Sequence, residues 1–163
     1  MKKNKQRYID TTLWDKSWFR DLSPDAKLLY MYLLTNPLTN LSGIYEITDD
    51  RMVFDVGMDI DGSITELQAT ERIGRYGDWV VIIHHPDYQK WQSNPQIALG
   101  LFLEIQDVPK EVFEALREVG YTYPAVHSSD AWRAEYDRLL KFENLRCYGT
   151  SPEPPFPLPS NEG

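Results

Sequence analysis

Two groups of residues in this 163-residue chain have the types and spacing to grip a polyanion. Lys2, Lys3, Lys5 and Arg7 form a closely spaced basic arm, suited to neutralising phosphate groups one at a time. The alternative for that arm is an ordinary solvated tail. Further along, Thr65, Gln68, Ala69 and Arg72 recur at three- and four-residue intervals, which places them on one face of a helix. An amide such as that of Gln68 matches the donor–acceptor pair on an adenine edge, and the guanidinium of Arg72 matches guanine or a phosphate. Arg75 follows in the next turn. The competing reading of Gln68 and Arg72 is that of solvated helix residues.

Other chemistries find little support. His84-His85-x-Asp87 invites a metal, but adjacent histidines at a strand end point to opposite faces, and no third His or Cys stands at ligand spacing. Hydrogen bonding is the expected role. Asp55, Asp59 and Asp61-Gly62 imitate half of a calcium loop, yet the twelfth position from Asp59 is Thr70, so turn chemistry is the better account. Cys147 is the single cysteine and has no base placed beside it by the sequence, which excludes an intramolecular disulfide and a cysteine metal cluster. No nucleophile–base pair, phosphate-cradling glycine loop or paired acid motif is present. No cofactor, no metal and no enzymatic activity are expected.

The elements that must carry these residues are legible in outline. Ser23 caps a helix over residues 23–36, Pro24 occupies its first position, and Asp25 lies in its first turn. Leu28, Leu29, Tyr32 and Leu33 form its expected apolar face, widened by Met31 and Leu34. Pro37 ends it. Gly43-Ile-Tyr-Glu-Ile47 alternates as a short strand. Thr48 caps a second helix with Met52, Val53 and Val56 inside and Gly57 at its end. Ser63-Ile-Thr-Glu66 has the pattern of a capping box and opens a third helix to about Ile73, with Ile64, Leu67, Thr70 and Ile73 on its apolar side. Arg75-Tyr-Gly-Asp78 is a turn, and Trp79–Ile83 a strand that pairs with residues 44–47. The aromatic run from Thr12 to Phe19 is expected to pack on the first helix. Trp14, Trp18, Phe19 and Tyr30 are expected to be core rather than a base-stacking platform.

This order is that of a winged helix-turn-helix: a mainly α, α+β domain with a small antiparallel sheet and a C-terminal helical extension. The expected organisation is a basic arm at 1–9, the winged helix at 10–95, the helical extension at 96–148 and a proline-rich tail at 149–163. Residues 84–95 are expected to be irregular. In the extension, Ile97, Leu101 and Ile105, then Phe113 and Leu116 with Val112 and Val119, give apolar stripes available for contact between protomers. A further helix is expected from Ser129 or Asp130, with Trp132, Tyr136, Leu139 and Leu140 inward. Five prolines in Ser151–Pro159 suit an extended polyproline segment.

The net charge of −8 opposes polyanion binding, but it is unevenly spread. Residues 1–20 carry six bases against two acids, and residues 98–163 six bases against eleven acids. No signal-peptide pattern and no membrane-spanning run is visible, and cysteine usage agrees with a reducing, cytoplasmic setting.

Four words of sequence carry a resemblance. They are Trp14-Asp-x-x-Trp-Phe-x-x-Leu-Ser-Pro-Asp-Ala-Lys-Leu-Leu-Tyr30, Leu34-Thr-Asn-Pro37, Asn40-Leu-Ser-Gly-Ile-Tyr-Glu46 and Trp91-Gln-Ser-Asn-Pro95. Together they make residues 8–119 resemble the N-terminal domain of phage replisome organisers and DnaD-like replication initiation proteins. The resemblance implies a winged helix that binds double-stranded DNA or self-associates in the bacterial cytoplasm as replication begins. The replicative helicase or its loader is the implied partner. The alternative, from the acidic surface, is a protein-docking or dimerisation module on the same scaffold with no direct DNA binding.

Overall fold

The computed structural model describes residues 6–121. Lys2, Lys3, Lys5, Cys147, the helix expected from Ser129 or Asp130 and the proline-rich tail lie outside the described residues. The chain divides into two compact units, Met1–Gln89 and Lys90–Gly163.

The first unit is mixed α+β. A 3-10 turn at Thr11–Asp15 leads into a one-turn helix, α1 (Ser17–Arg20). Helix α2 (Pro24–Thr35) begins as its sequence dictates: the Ser23 hydroxyl accepts from the Ala26 amide, and Pro24 stands where no intrahelical donor is needed. Its buried residues are Ala26, Leu29, Tyr30, Leu33 and Leu34, a stripe rotated from the expected one. Leu28, expected inside, is 49% exposed. The stripe turned because Trp18 packs edge-on and Phe19 at a tilt against Tyr30, drawing that ring inward.

Strand β1 (Ile44–Glu46) precedes α3 (Asp49–Val56), which Thr48 caps and Gly57 ends in the left-handed conformation. Of the three residues expected inside α3, Met52 is buried, Val56 is partly so and Val53 is exposed. Helix α4 (Asp61–Ala69) starts two residues before the expected cap. The Asp59 carboxylate accepts from the Asp61 amide and sets the entry, while Ser63 lies buried inside the helix. The capping box therefore does not form. Nor does the helix reach Ile73: Thr70 ends it, and its hydroxyl donates back to Glu66 and Leu67 carbonyls.

Ile73 instead opens strand β2 (Ile73–Tyr76), where the end of a helix and a turn are expected from the sequence. It pairs antiparallel with β3 (Trp79–Ile82) through a two-residue connection at Gly77-Asp78. Strand β1 lies on the other side of β3, with Tyr45 opposite Val80, so the sheet order is β1-β3-β2. Phe19, Leu29, Leu33, Met52, Ile60, Leu67 and Ile82 meet in one core between the helices and the sheet. Each such buried side chain contributes about 1.5–3 kcal/mol. After β3 a short helix, α5 (His85–Tyr88), stands where irregular chain was expected.

In the second unit, Asn94 caps α6 (Pro95–Ile105), and α7 (Lys110–Glu118) follows. Among the described residues, no helix is long and apolar enough to cross a membrane.

Candidate nucleic-acid interface

Helix α4 follows α3 after a four-residue connection and presents Thr65, Gln68 and Ala69 to solvent. Thr65 donates its hydroxyl to the Asp61 carbonyl at 3.0 Å. Gln68 is exposed. This polar face lies between two acids, Asp61 and Glu71, both exposed. Glu66, on the same helix, is turned inward to Ser23.

The two arginines expected beside these residues are placed otherwise. Arg72 is not on the helix. It follows the left-handed Glu71, donates its amide to the Leu67 carbonyl at 3.0 Å, and its guanidinium stacks 4.1 Å from the centre of the Trp18 ring. Arg75 belongs to β2, where Nη2 meets the Asp49 carboxylate at 2.6 Å and Nη1 donates to the Asp78 carbonyl. Only 11% of its side chain is exposed, so it braces the hairpin against α3 rather than facing outward. Arg51 is likewise taken up, by Asp55 at 2.7 Å, and Tyr32 donates to the same carboxylate at 2.6 Å. Those two donors hold the Asp55 carboxyl below the usual range, and burial beside Asp55 pushes the Tyr32 phenol up to about 12.

Arg7, the one arm cation among the described residues, is docked. Its Nη2 donates to the Thr39 carbonyl at 3.4 Å. The next residue is strapped down through Gln89, whose side chain accepts from the Tyr8 amide and donates to the Tyr8 carbonyl. Beneath lies His85, 1% exposed, with Nε2 at 3.2 Å from the Asn40 carbonyl oxygen. Burial drives the His85 imidazole down to about 4, so it is neutral at pH 7. His84 faces outward toward Asp87. The two histidines thus engage separate partners, and among the described residues no group of three or more His, Cys, Asp or Glu could hold a metal ion. Tyr8, Tyr30, His85 and Tyr88 line a small, partly open cleft with room for a water molecule.

Phe19 and Tyr30 are buried, as expected for core, and Trp18 is partly so, whereas Trp14 is 60% exposed while its ring still meets Phe19 edge-on at 5.0 Å. Of the residues expected to join protomers, Leu101, Ile105, Phe113 and Leu116 are buried within the single chain, and Ile97 is half-buried. The first four are therefore not surface, and the correction has a simple reason: an apolar stripe at helical spacing has the same pattern whether it faces a core or a partner. The residue that sequence reasoning missed is Phe54. It stands 85% exposed on α3 beside Val53 at 40%. Its position in the helical period, opposite the buried Met52, is the signal that could have found it. No protein family, no curated protein and no solved structure matches this chain.

Proposed function

We propose that this chain is a phage- or prophage-type DNA replication protein whose winged helix-turn-helix contacts duplex DNA during replication initiation. The observation that carries the reading is the sequence of elements: helix, strand, two helices joined by a short connection, then a hairpin whose strands form a β1-β3-β2 sheet. In that scaffold α4 is the groove-entering helix, and the exposed Thr65 and Gln68 are its base-facing residues. The basic residues of the arm supply phosphate contacts, and the replicative helicase or its loader is the implied protein partner. The acidic flanks of α4 repel the phosphate backbone and favour a weak complex over tight sequence readout.

The test is fluorescence anisotropy of labelled duplex DNA across a salt series. Binding that weakens linearly in log salt supports the reading. No binding at low salt rejects it.

One observation favours a second reading, protein docking without DNA. Phe54 and Val53 form an exposed apolar pair on α3, next to an acidic face. An exposed aromatic anchor of this kind is common at protein interfaces. Phe54→Ser would then abolish partner binding while leaving any DNA binding intact.

A further inference from the structure

Arg72 differs from Arg51 and Arg75, the other two arginines in residues 44–89. Each of those closes on a carboxylate within 2.7 Å. Arg72 has no carboxylate partner among the described residues, and its Nε is buried without an acceptor. What holds the guanidinium is the face of Trp18, whose ring is itself wedged edge-on between Phe19 at 5.5 Å and Tyr30 at 5.4 Å. A planar guanidinium fixed on a fixed ring has little rotamer freedom left to lose on binding a further ligand.

The backbone adds a second observation. Glu71 is left-handed at φ 56°, a conformation that costs a non-glycine residue about 1–2 kcal/mol. It turns the chain so that Arg72 leaves the end of α4 and faces α1. The Arg72 carbonyl then accepts from the Ile83 amide at 3.0 Å, which fixes the residue at the base of the β2–β3 hairpin. Arg72 is thus tied to the expected groove helix on one side and to the hairpin on the other.

We infer that the Trp18-stacked guanidinium of Arg72 is a preorganised clamp for a single backbone phosphate of duplex DNA, setting the depth and register of α4. This inference rests on the DNA-binding reading above. A phosphate is the ligand, because its oxygens match the donors of a guanidinium already held flat on Trp18 and it asks for no stacking ring. The contact carries no sequence information; it positions the helix whose Thr65 and Gln68 can read. The adjacent Glu71 is exposed and, as an acid, repels the same phosphate.

The test compares the wild-type chain with Arg72→Gln, Arg72→Lys and Glu71→Gln on two unrelated labelled duplexes across a salt series, with circular dichroism to monitor folding. Arg72→Gln is expected to weaken binding equally on both duplexes and to flatten the salt slope by about one unit. Arg72→Lys should keep the slope but bind less tightly, since it keeps the charge without the stacked fork. Glu71→Gln should bind more tightly than wild type. Wild-type binding with an unchanged, folded Arg72→Gln overturns the clamp and leaves the DNA reading standing. Absence of wild-type binding overturns both. Should Arg72→Gln fail to fold, an unchanged affinity in Glu71→Gln overturns the clamp.

Discussion

The carboxylate of Glu66 on α4 grips Ser23, the N-cap of α2, through both of that residue's donors. It accepts from the Ser23 amide at 2.8 Å and from its hydroxyl at 2.7 Å, across 43 residues of chain. The same hydroxyl accepts from the Ala26 amide, so one serine both caps α2 and fastens α4 to it. A carboxylate at this place also meets the positive end of the α2 dipole.

Breaking this link should loosen the helix pair without disturbing the core. Glu66→Ala removes a charged acceptor from two donors and should cost about 1.5–3 kcal/mol. Ser23→Ala keeps the amide bond but loses the cap and should cost about 1 kcal/mol. Urea denaturation of both single variants and the double variant should give a sum larger than the double, the excess being the shared hydroxyl–carboxylate bond. Because the Ser23 bonds hold the Glu66 carboxyl below its usual range, the stabilisation is complete above that range and fades as pH falls through the lowered value. Glu66→Ala should lose that acid sensitivity.

Two glycines in left-handed turns should respond differently to the same change. Gly43 has φ 71°, and a Cβ there would lie 2.6 Å from the His85 Cβ. Gly57 has φ 72° with open space around it. Gly57→Ala should therefore cost only the backbone strain, about 1 kcal/mol. Gly43→Ala adds a collision with a buried, immobile ring and should cost roughly 3 kcal/mol. Thermal melting of the two variants separates the terms, and equal losses would show that the His85 contact gives way.

Much of the first unit could be read locally, because its signals are local. Ser23, Pro24 and Pro37 bound α2 through their own backbone chemistry, and Thr48 and Gly57 do the same for α3. Other features depend on distant partners. Glu66 has the right spacing to cap from Ser63, but the amide and hydroxyl of Ser23 compete and win. Strand β2 is only four residues long and contains Gly74, so it has little β signal of its own and exists because β3 pairs with it. The candidate interface was legible at Thr65 and Gln68, whose exposure follows from helical period. It was not legible at Arg72 and Arg75, since nothing in the local sequence says that Arg72 stacks on Trp18 or that Asp49 pairs with Arg75.

The ends of α3 and α4 supply a third prediction. Gly57 occupies the left-handed position after α3, whereas Glu71 occupies it after α4. The Glu71 amide donates to the Gln68 carbonyl and the Arg72 amide to the Leu67 carbonyl, the paired bonds of a helix end that glycine favours. Glu71→Gly should raise stability by about 1 kcal/mol, measured as a higher urea midpoint at unchanged slope. A lower midpoint would mean that the Glu71 side chain contributes more than its backbone strain costs.

His85 should make the fold acid-sensitive in a defined window. Its imidazole sits under the Arg7–Tyr8 strap, fills the space a side chain at Gly43 would need and keeps Nε2 on the Asn40 carbonyl, with Nδ1 buried and unpartnered. Burial, with the Arg7 charge adding to it, lowers its pKa from 6.5 to about 4. The sign follows directly. Above pH 6.5 the ring is neutral both folded and unfolded, so it contributes no pH dependence. Between 6.5 and about 4 the unfolded chain takes up a proton that the folded chain refuses, and stability falls as pH falls. Below about 4 both forms are protonated and this loss stops growing. The limiting slope is about 1.4 kcal/mol per pH unit, so the whole effect is on the order of 3 kcal/mol. Urea midpoints measured from pH 7.5 to 4 should show this decline in the wild type and a shallower one in His85→Gln. Parallel profiles would place the acid sensitivity on the carboxylates instead.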